Sequence, residues 1–106
     1  MTTDNDNVPI IDNKDQHQYE LKMGDEVAIL VYQRHGDTIN LIHTEVPEAL
    51  GGHGLGNKLA RFALEEARAQ NLQVVPSCPF VAAFIRRHPD YISLVVESER
   101  ERLTRK

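Results

Sequence analysis

Residues 46–67 read VPEALGGHGLGNKLARFALEEA. Pro47 stops the segment before it, and a helical pattern opens at Leu55. Between them stand Gly51, Gly52, Gly54 and Gly56, four glycines within six residues. One or two glycines between a strand and a helix make a tight turn. Four bare a length of backbone at a helix start, where unpaired N–H groups and the positive dipole end attract anions. The pattern therefore predicts a phosphate ligand. It is not a Walker loop, because Asn57 and not Lys follows Gly56. Nor is it the dinucleotide fingerprint, whose third glycine would fall on Asn57.

Upstream, YELKMGDEVAILVYQRHGDTINLIHTEV reads as strands with turns at Gly24-Asp25 and Gly36-Asp37. The apolar run Val27 to Tyr32 predicts a strand buried on both faces. In the next strand, strict alternation places Ile39, Leu41 and His43 on one face and Ile42, Thr44 and Val46 on the other. Downstream, Leu55, Leu59, Phe62, Ala63 and Ala67 recur at helical spacing, with Asn71 as a C-cap. LQVV is a short strand stopped by Pro76, and PFVAAFIRRH is a second helix with Pro79 in its first turn. YISLVV reads as a last strand. The expected class is α+β, a twisted, mainly antiparallel sheet with two helices.

The chain has 106 residues, enough for one core. Residues 1–16 are polar and read as a flexible N-terminal arm, residues 17–98 as the domain, and residues 99–106 as a charged C-terminal tail. The formal net charge of −4 lacks the basic footprint of a nucleic-acid binder and mildly favours a cationic substrate. Cys78 is the only cysteine, so an intrachain disulfide and a multi-cysteine zinc site are excluded, and a reducing, cytoplasmic setting is expected. The start lacks the pattern of a signal peptide, and no apolar run reaches the ~18 residues of a membrane span. No His-x3-His or Cys-x2-Cys spacing supports a metal.

The stretch VPEALGGHGLGNKLARFALEEARAQNLQVV resembles the central motif of the GCN5-related N-acetyltransferases, a strand, then Gln/Arg-x-x-Gly-x-Gly/Ala, then a helix. Gly54 and Gly56 fall on the motif's glycines, whereas Gly51 stands where Gln or Arg is usual, so one side-chain contact is missing. VVPSCPFVAAFIRRHPDY is similar to the minimal, single-domain branch, in which a cysteine precedes a helix ending in Arg-His-Pro. Cys78, Pro79, Phe80, Arg87, His88, Pro89 and Tyr91 carry that likeness, which spans roughly residues 19–92. The resemblance implies acetyl-coenzyme A as co-substrate. The amides of Gly51, Gly52, His53, Gly54, Leu55, Gly56 and Asn57, with Lys58, would hold its pyrophosphate. Its pantetheine arm would pair with the backbone of Ile42, Thr44 and Val46, in a cleft between that strand and Leu72 to Val75. Lys58 and Arg61 would meet cofactor phosphates or simply be solvated helix charges.

Acetyl transfer needs a base for the amine, a donor for the thioester oxygen and stabilisation of the leaving thiolate. His43 is the candidate base, since it lies on the strand flanking the thioester and histidine is the side-chain type suited to proton transfer at neutral pH. Its bland reading is a half-buried strand histidine. Cys78 has three readings: a buried small hydrophobe, a nucleophile carrying a transient acetyl group, or a group that places the thioester without bonding to it. His88 fits a helix-end structural role. In the position where relatives often carry a tyrosine acid stands Arg86, so no general acid is named. The expected function is N-acetyl transfer to an amine through a ternary complex. The lack of inserted helices implies an open acceptor groove, suited to a side chain on a larger molecule or to an extended amine. A coenzyme A-binding or acyl-sensing module with little turnover is the second reading, and a protein-interaction scaffold the third.

Overall fold

The structure is a computed structural model that describes residues 9–52 and 54–104. Residues 1–8 of the expected arm, His53 and residues 105–106 of the expected tail lie outside the described residues. Five strands, β1 (Ile10–Asn13), β2 (Gln18–Met23), β3 (Glu26–His35), β4 (Thr38–Glu45) and β5 (Gln73–Pro76), form one sheet in sequence order. The first three pairings are antiparallel, and β4 with β5 is parallel. A parallel neighbour needs a crossover, and α1 (Leu55–Ala69) supplies it. The β2–β3 and β3–β4 hairpins turn on Gly24 and Gly36, at φ +62° and +58°, the left-handed backbone that such short loops demand.

Helix α1 buries Leu55, Leu59, Ala60, Ala63, Leu64 and Ala67. Its end is a Schellman motif: Asn71 at φ +58°, with Asn71 N–H donating to Arg68 O and Leu72 N–H to Ala67 O. Asn71 therefore sits one residue beyond the cap. Helix α2 (Pro79–Arg87) starts from Cys78 and buries Val81, Ala82, Phe84 and Ile85. The two helices cover the sheet face formed by Tyr19, Leu21, Ala28, Leu30, Ile39 and Leu41.

Four expectations are corrected. In β3 only Ala28, Leu30 and Tyr32 are buried, while Val27, Ile29 and Val31 lie on the less covered face. The apolar run reflects strand propensity as much as two-sided burial. The arm is not loose through residue 16, because Ile10–Asn13 pairs with β2 as an edge strand. Tyr32 donates its hydroxyl to Asp12 at 2.6 Å, and Asn13 donates to Glu20 at 2.9 Å. Amide donors from Gln18 and Asn13 hold the Glu20 carboxyl below the usual carboxylate range. YISLVV is not a strand, since Pro89–Leu94 is a 3-10 turn and only Val95 bridges to Val74. Pro89 fixes a helical φ where the chain leaves α2, and Tyr91, whose hydroxyl donates to Glu65 at 2.6 Å, pins the turn to α1. Finally, the described residues form three α-helices where two were expected. Glu97–Thr104 forms α3, anchored by buried Leu103 and by Arg86 Nε donating to Leu103 O.

All three tyrosines of the chain, Tyr19, Tyr32 and Tyr91, are buried. Burial raises each phenol above its ordinary value, helped by Asp12 at Tyr19 and Tyr32 and by Glu65 at Tyr91. A phenol raised in the fold stabilises it fully below the unfolded value of about 10 and progressively less above it. We expect phenolate absorbance to emerge in the same alkaline transition that removes the circular dichroism. A phenol ionising near pH 10 with ellipticity intact would contradict the burial.

Candidate active site

β4 and β5 pair from Thr38 to Leu41 against Gln73 to Pro76 and then part. β4 continues to Glu45, while β5 stops at Pro76. The Cys78 N–H donates to Leu41 O at 2.8 Å and closes the vertex of this V. Beyond the vertex one edge of β4 pairs with β3, and the other has no strand partner among the described residues. Its backbone groups remain available to an extended ligand.

The register of β4 holds a feature that alternation missed. Tyr32 pairs with Leu41 and Val31 with His43, so Ile42 has no partner and forms a bulge. The bulge resets parity: Leu41 and Thr44 share the buried face, and His43 turns to the open one. His43 and Cys78 therefore lie on opposite sides of the sheet. The signal in the sequence was the adjacent apolar pair Leu41-Ile42, which breaks the alternation.

On the open face His43 Nε2 lies 3.2 Å from Glu45 Oε2, both side chains more than half exposed. On the covered face the Cys78 sulfur lies 3.4 Å from Thr44 Oγ1, and Cys78 is only 3% exposed. Val46 is exposed just past the end of β4. Asn40, two residues before the bulge, has a buried Oδ1 without a hydrogen-bond partner among the described residues.

The four glycines divide by physical cause. Gly52 and Gly54 have φ of +84° and +70°, and a Cβ built on either meets nothing within 4 Å, so their backbone faces open space. Gly51 is extended, and its Cβ would come 3.3 Å from Glu48 O. Gly56 is buried in α1, where a Cβ would lie 2.8 Å from the Phe80 ring. It serves helix packing. Gly54 is the N-cap of α1 and offers no side-chain cap, so the first amides of the helix have no capping oxygen from it. Leu55 contributes only backbone, since its side chain is in the core. Asn57 accepts from Arg87 Nη2 at 3.3 Å, tying the first turn of α1 to the end of α2. The Lys58 N–H donates to Gly54 O, which places Lys58 in the same first turns.

The segment RRHPDY acts as a clamp beside the cleft. The His88 ring lies 4.3 Å from that of Phe84, Arg61 sits over Phe84 at 5.3 Å, and Arg68 sits over Tyr91 at 5.1 Å. His88 thus packs at the helix end. Among the described residues no three His, Cys, Asp or Glu side chains gather as a metal group, and no helix is long and apolar enough to cross a membrane.

A family model described as GCN5-related N-acetyl-transferase matches residues 18–94. Protein NATD1 of Danio rerio is 28% identical over 89 residues, covering 79% of this chain and 81% of that protein. Protein NATD1 of Bos taurus is 35% identical over 63 residues, covering 58% of this chain and 56% of its own length. The solution structure of a GCN5-like protein from Staphylococcus aureus superposes with a TM-score of 0.67 at 27% identity, over 85% of this chain and 89% of that one.

Proposed function

Because the chain belongs to the GCN5-related N-acetyltransferase family, we propose that it moves an acetyl group from acetyl-coenzyme A to an amine within a ternary complex. The observation that carries this reading is the meeting of two features at one mouth. The unpaired edge of β4 leads from the vertex toward glycine backbone open at the start of α1. Amides at Gly52, Gly54, Leu55, Gly56 and Asn57 would receive the pyrophosphate, with Lys58 beside them. The pantetheine arm would run along Ile42 to Val46 as an added strand.

The thioester would then lie beside the bulge at Ile42, where a backbone N–H of β4 would donate to the carbonyl oxygen as charge develops. The amine approaches from the open face, which α1 and α2 do not cover. Its nitrogen attacks the carbonyl carbon, the carbon–sulfur bond breaks, and coenzyme A leaves as the thiol after gaining a proton. His43, directly or through water, takes the proton the amine loses, and Glu45 orients the imidazole. A low, open wall suits an amine on a larger molecule or an extended polyamine. The single cysteine supports a cytoplasmic setting.

The test is coenzyme A release in the presence of an amine panel, beside calorimetric titration with coenzyme A. Binding with no turnover on any amine would favour the acyl-sensing module, and no binding would refute both. The burial of Cys78 and its contact with Thr44 favour a placing role over a covalent one. Cys78→Ala is expected to lower turnover roughly tenfold with little change in cofactor affinity. Intact mass after acetyl-coenzyme A alone should show no adduct on the wild type. Full activity in Cys78→Ala would return the residue to packing.

A further inference from the structure

A second concavity lies at the other end of α1. It is a cavity of about 210 Å³ between the β1–β2 turn, the end of β3, the start of β4 and the C-terminus of α1. Helix α1 has 15 residues, which puts Gln70, on the wall of this cavity, about 22 Å from the glycine end. Neither the family's cofactor nor the vertex chemistry uses it.

Its walls carry an uneven set of groups. Tyr19, 3% exposed as a whole residue, lines the cavity. The charges that act on it are Asp12, Glu66 and Arg34, and Asp12 and Arg34 line the same cavity. Asp12 accepts from Tyr32 through Oδ1, which leaves its second oxygen available. Arg34 is positioned by Nη1 donating to Gln70 Oε1 at 2.9 Å and by Nε reaching Gly36 O. Lys14 stands exposed at the rim, and Ile39 and Leu72 supply apolar wall.

Charge decides the ligand class. Arg34 and Lys14 repel a simple amine, and Asp12 repels a simple anion. A zwitterion satisfies both, with its carboxylate on the cations and its ammonium on Asp12. The apolar wall and the tilted Tyr19–Tyr32 ring pair, 4.9 Å apart, favour an apolar body. The volume is below the range of drug-sized pockets, roughly 300–1,000 Å³. We infer that the cavity between Asp12, Tyr19 and Arg34 binds a small free amino acid with an apolar side chain, as a site separate from acetyl transfer.

The probe is L-leucine, titrated into the intact chain and followed by amide chemical shifts in NMR. 3-Methylbutylamine, which lacks the carboxylate, and 4-methylpentanoate, which lacks the ammonium, are the controls. We expect saturable shifts at residues 12–19, 32–39 and 70–72, with a dissociation constant of about 1 mM or tighter. Each control should bind at least tenfold more weakly. Tyr19→Phe, which keeps the ring, should weaken L-leucine at least threefold, and Arg34→Gln at least tenfold. The inference is overturned if L-leucine gives no saturable shift at about ten times that concentration, if either control matches it, if the shifts fall instead on residues 51–58, or if both variants bind as the wild type does. Binding alone is read, so the outcome is independent of whether the chain transfers acetyl groups.

Discussion

Gly54→Val should weaken coenzyme A binding by more than thirtyfold, about 2 kcal/mol, while leaving the circular dichroism of the folded protein in place. Two effects act together. Gly54 sits at φ +70° as the N-cap of α1, and a β-branched residue is a true outlier there. The turn must therefore either hold strain or swing its amides away from the direction they now face. The valine methyls would also fill the space above the backbone, where a Cβ now meets nothing within 4 Å, and a phosphate must approach through that space. Gly54→Asn separates the two effects. Asparagine tolerates the left-handed backbone, so it restores the turn but keeps a side chain in the way. Its affinity should fall between those of the wild type and Gly54→Val. Equal coenzyme A affinity in all three proteins, measured by calorimetry, would remove the pyrophosphate from this turn. Gly56→Ala is the contrasting case. The atom it meets is the tip of the half-exposed Phe80 ring, which can swing aside, and alanine gains helix propensity. That variant should bind coenzyme A almost as tightly as the wild type.

These two glycines show what the sequence could and could not convey. Density of glycine at a helix start announced exposed backbone, and at Gly52 and Gly54 the backbone is indeed turned to open space. Gly56, which looked the same in the sequence, answers to a contact with Phe80, 24 positions downstream. No local pattern encodes such a tertiary approach. The hairpin turns and the α1 stop were legible because Gly24, Gly36 and Asn71 each occupy positive φ, a requirement that falls on the residue itself. The side of the sheet that carries His43 was legible only in part, through the adjacent apolar pair Leu41-Ile42. One unpaired residue, Ile42, reverses the parity of everything after it, and a bulge depends on the partner strand as much as on its own sequence. The segment after α2 misled for a related reason. Tyr91, Ile92, Leu94 and Val95 have strand propensity, but Pro89 and the Tyr91–Glu65 hydrogen bond commit the chain to a 3-10 turn. Tertiary contacts overrode propensity, as they do for short apolar runs.

Phe84→Ala should remove roughly 3–5 kcal/mol of stability, the largest loss expected from a single change in this chain. Phe84 is 1% exposed on α2. Its ring meets the Arg61 guanidinium from α1, the His88 ring at the helix end and Tyr91 in the 3-10 turn. Truncation leaves a cavity between three elements, and the cation over the ring loses its partner. A domain of this size holds about 5–15 kcal/mol in total, so the thermal midpoint should drop by roughly 15–25 °C. The consequence extends to the cleft. Cys78 is the N-cap of the same helix, and α2 meets the first turns of α1 through Phe80 on Gly56 and Arg87 on Asn57. With its central anchor gone, α2 should no longer hold those first turns against the vertex. Coenzyme A affinity should then fall even at temperatures where Phe84→Ala remains folded. Phe84→Leu keeps most of the volume and should lose about 1.5 kcal/mol or less, with near-normal binding. Urea unfolding of the three proteins, beside coenzyme A titration at low temperature, reads both quantities. A loss under about 1 kcal/mol in Phe84→Ala would mean that the ring is not the joint between α2, α1 and the 3-10 turn. Full stability loss with unchanged affinity would mean that the cleft is held by the vertex bond from Cys78 to Leu41 alone.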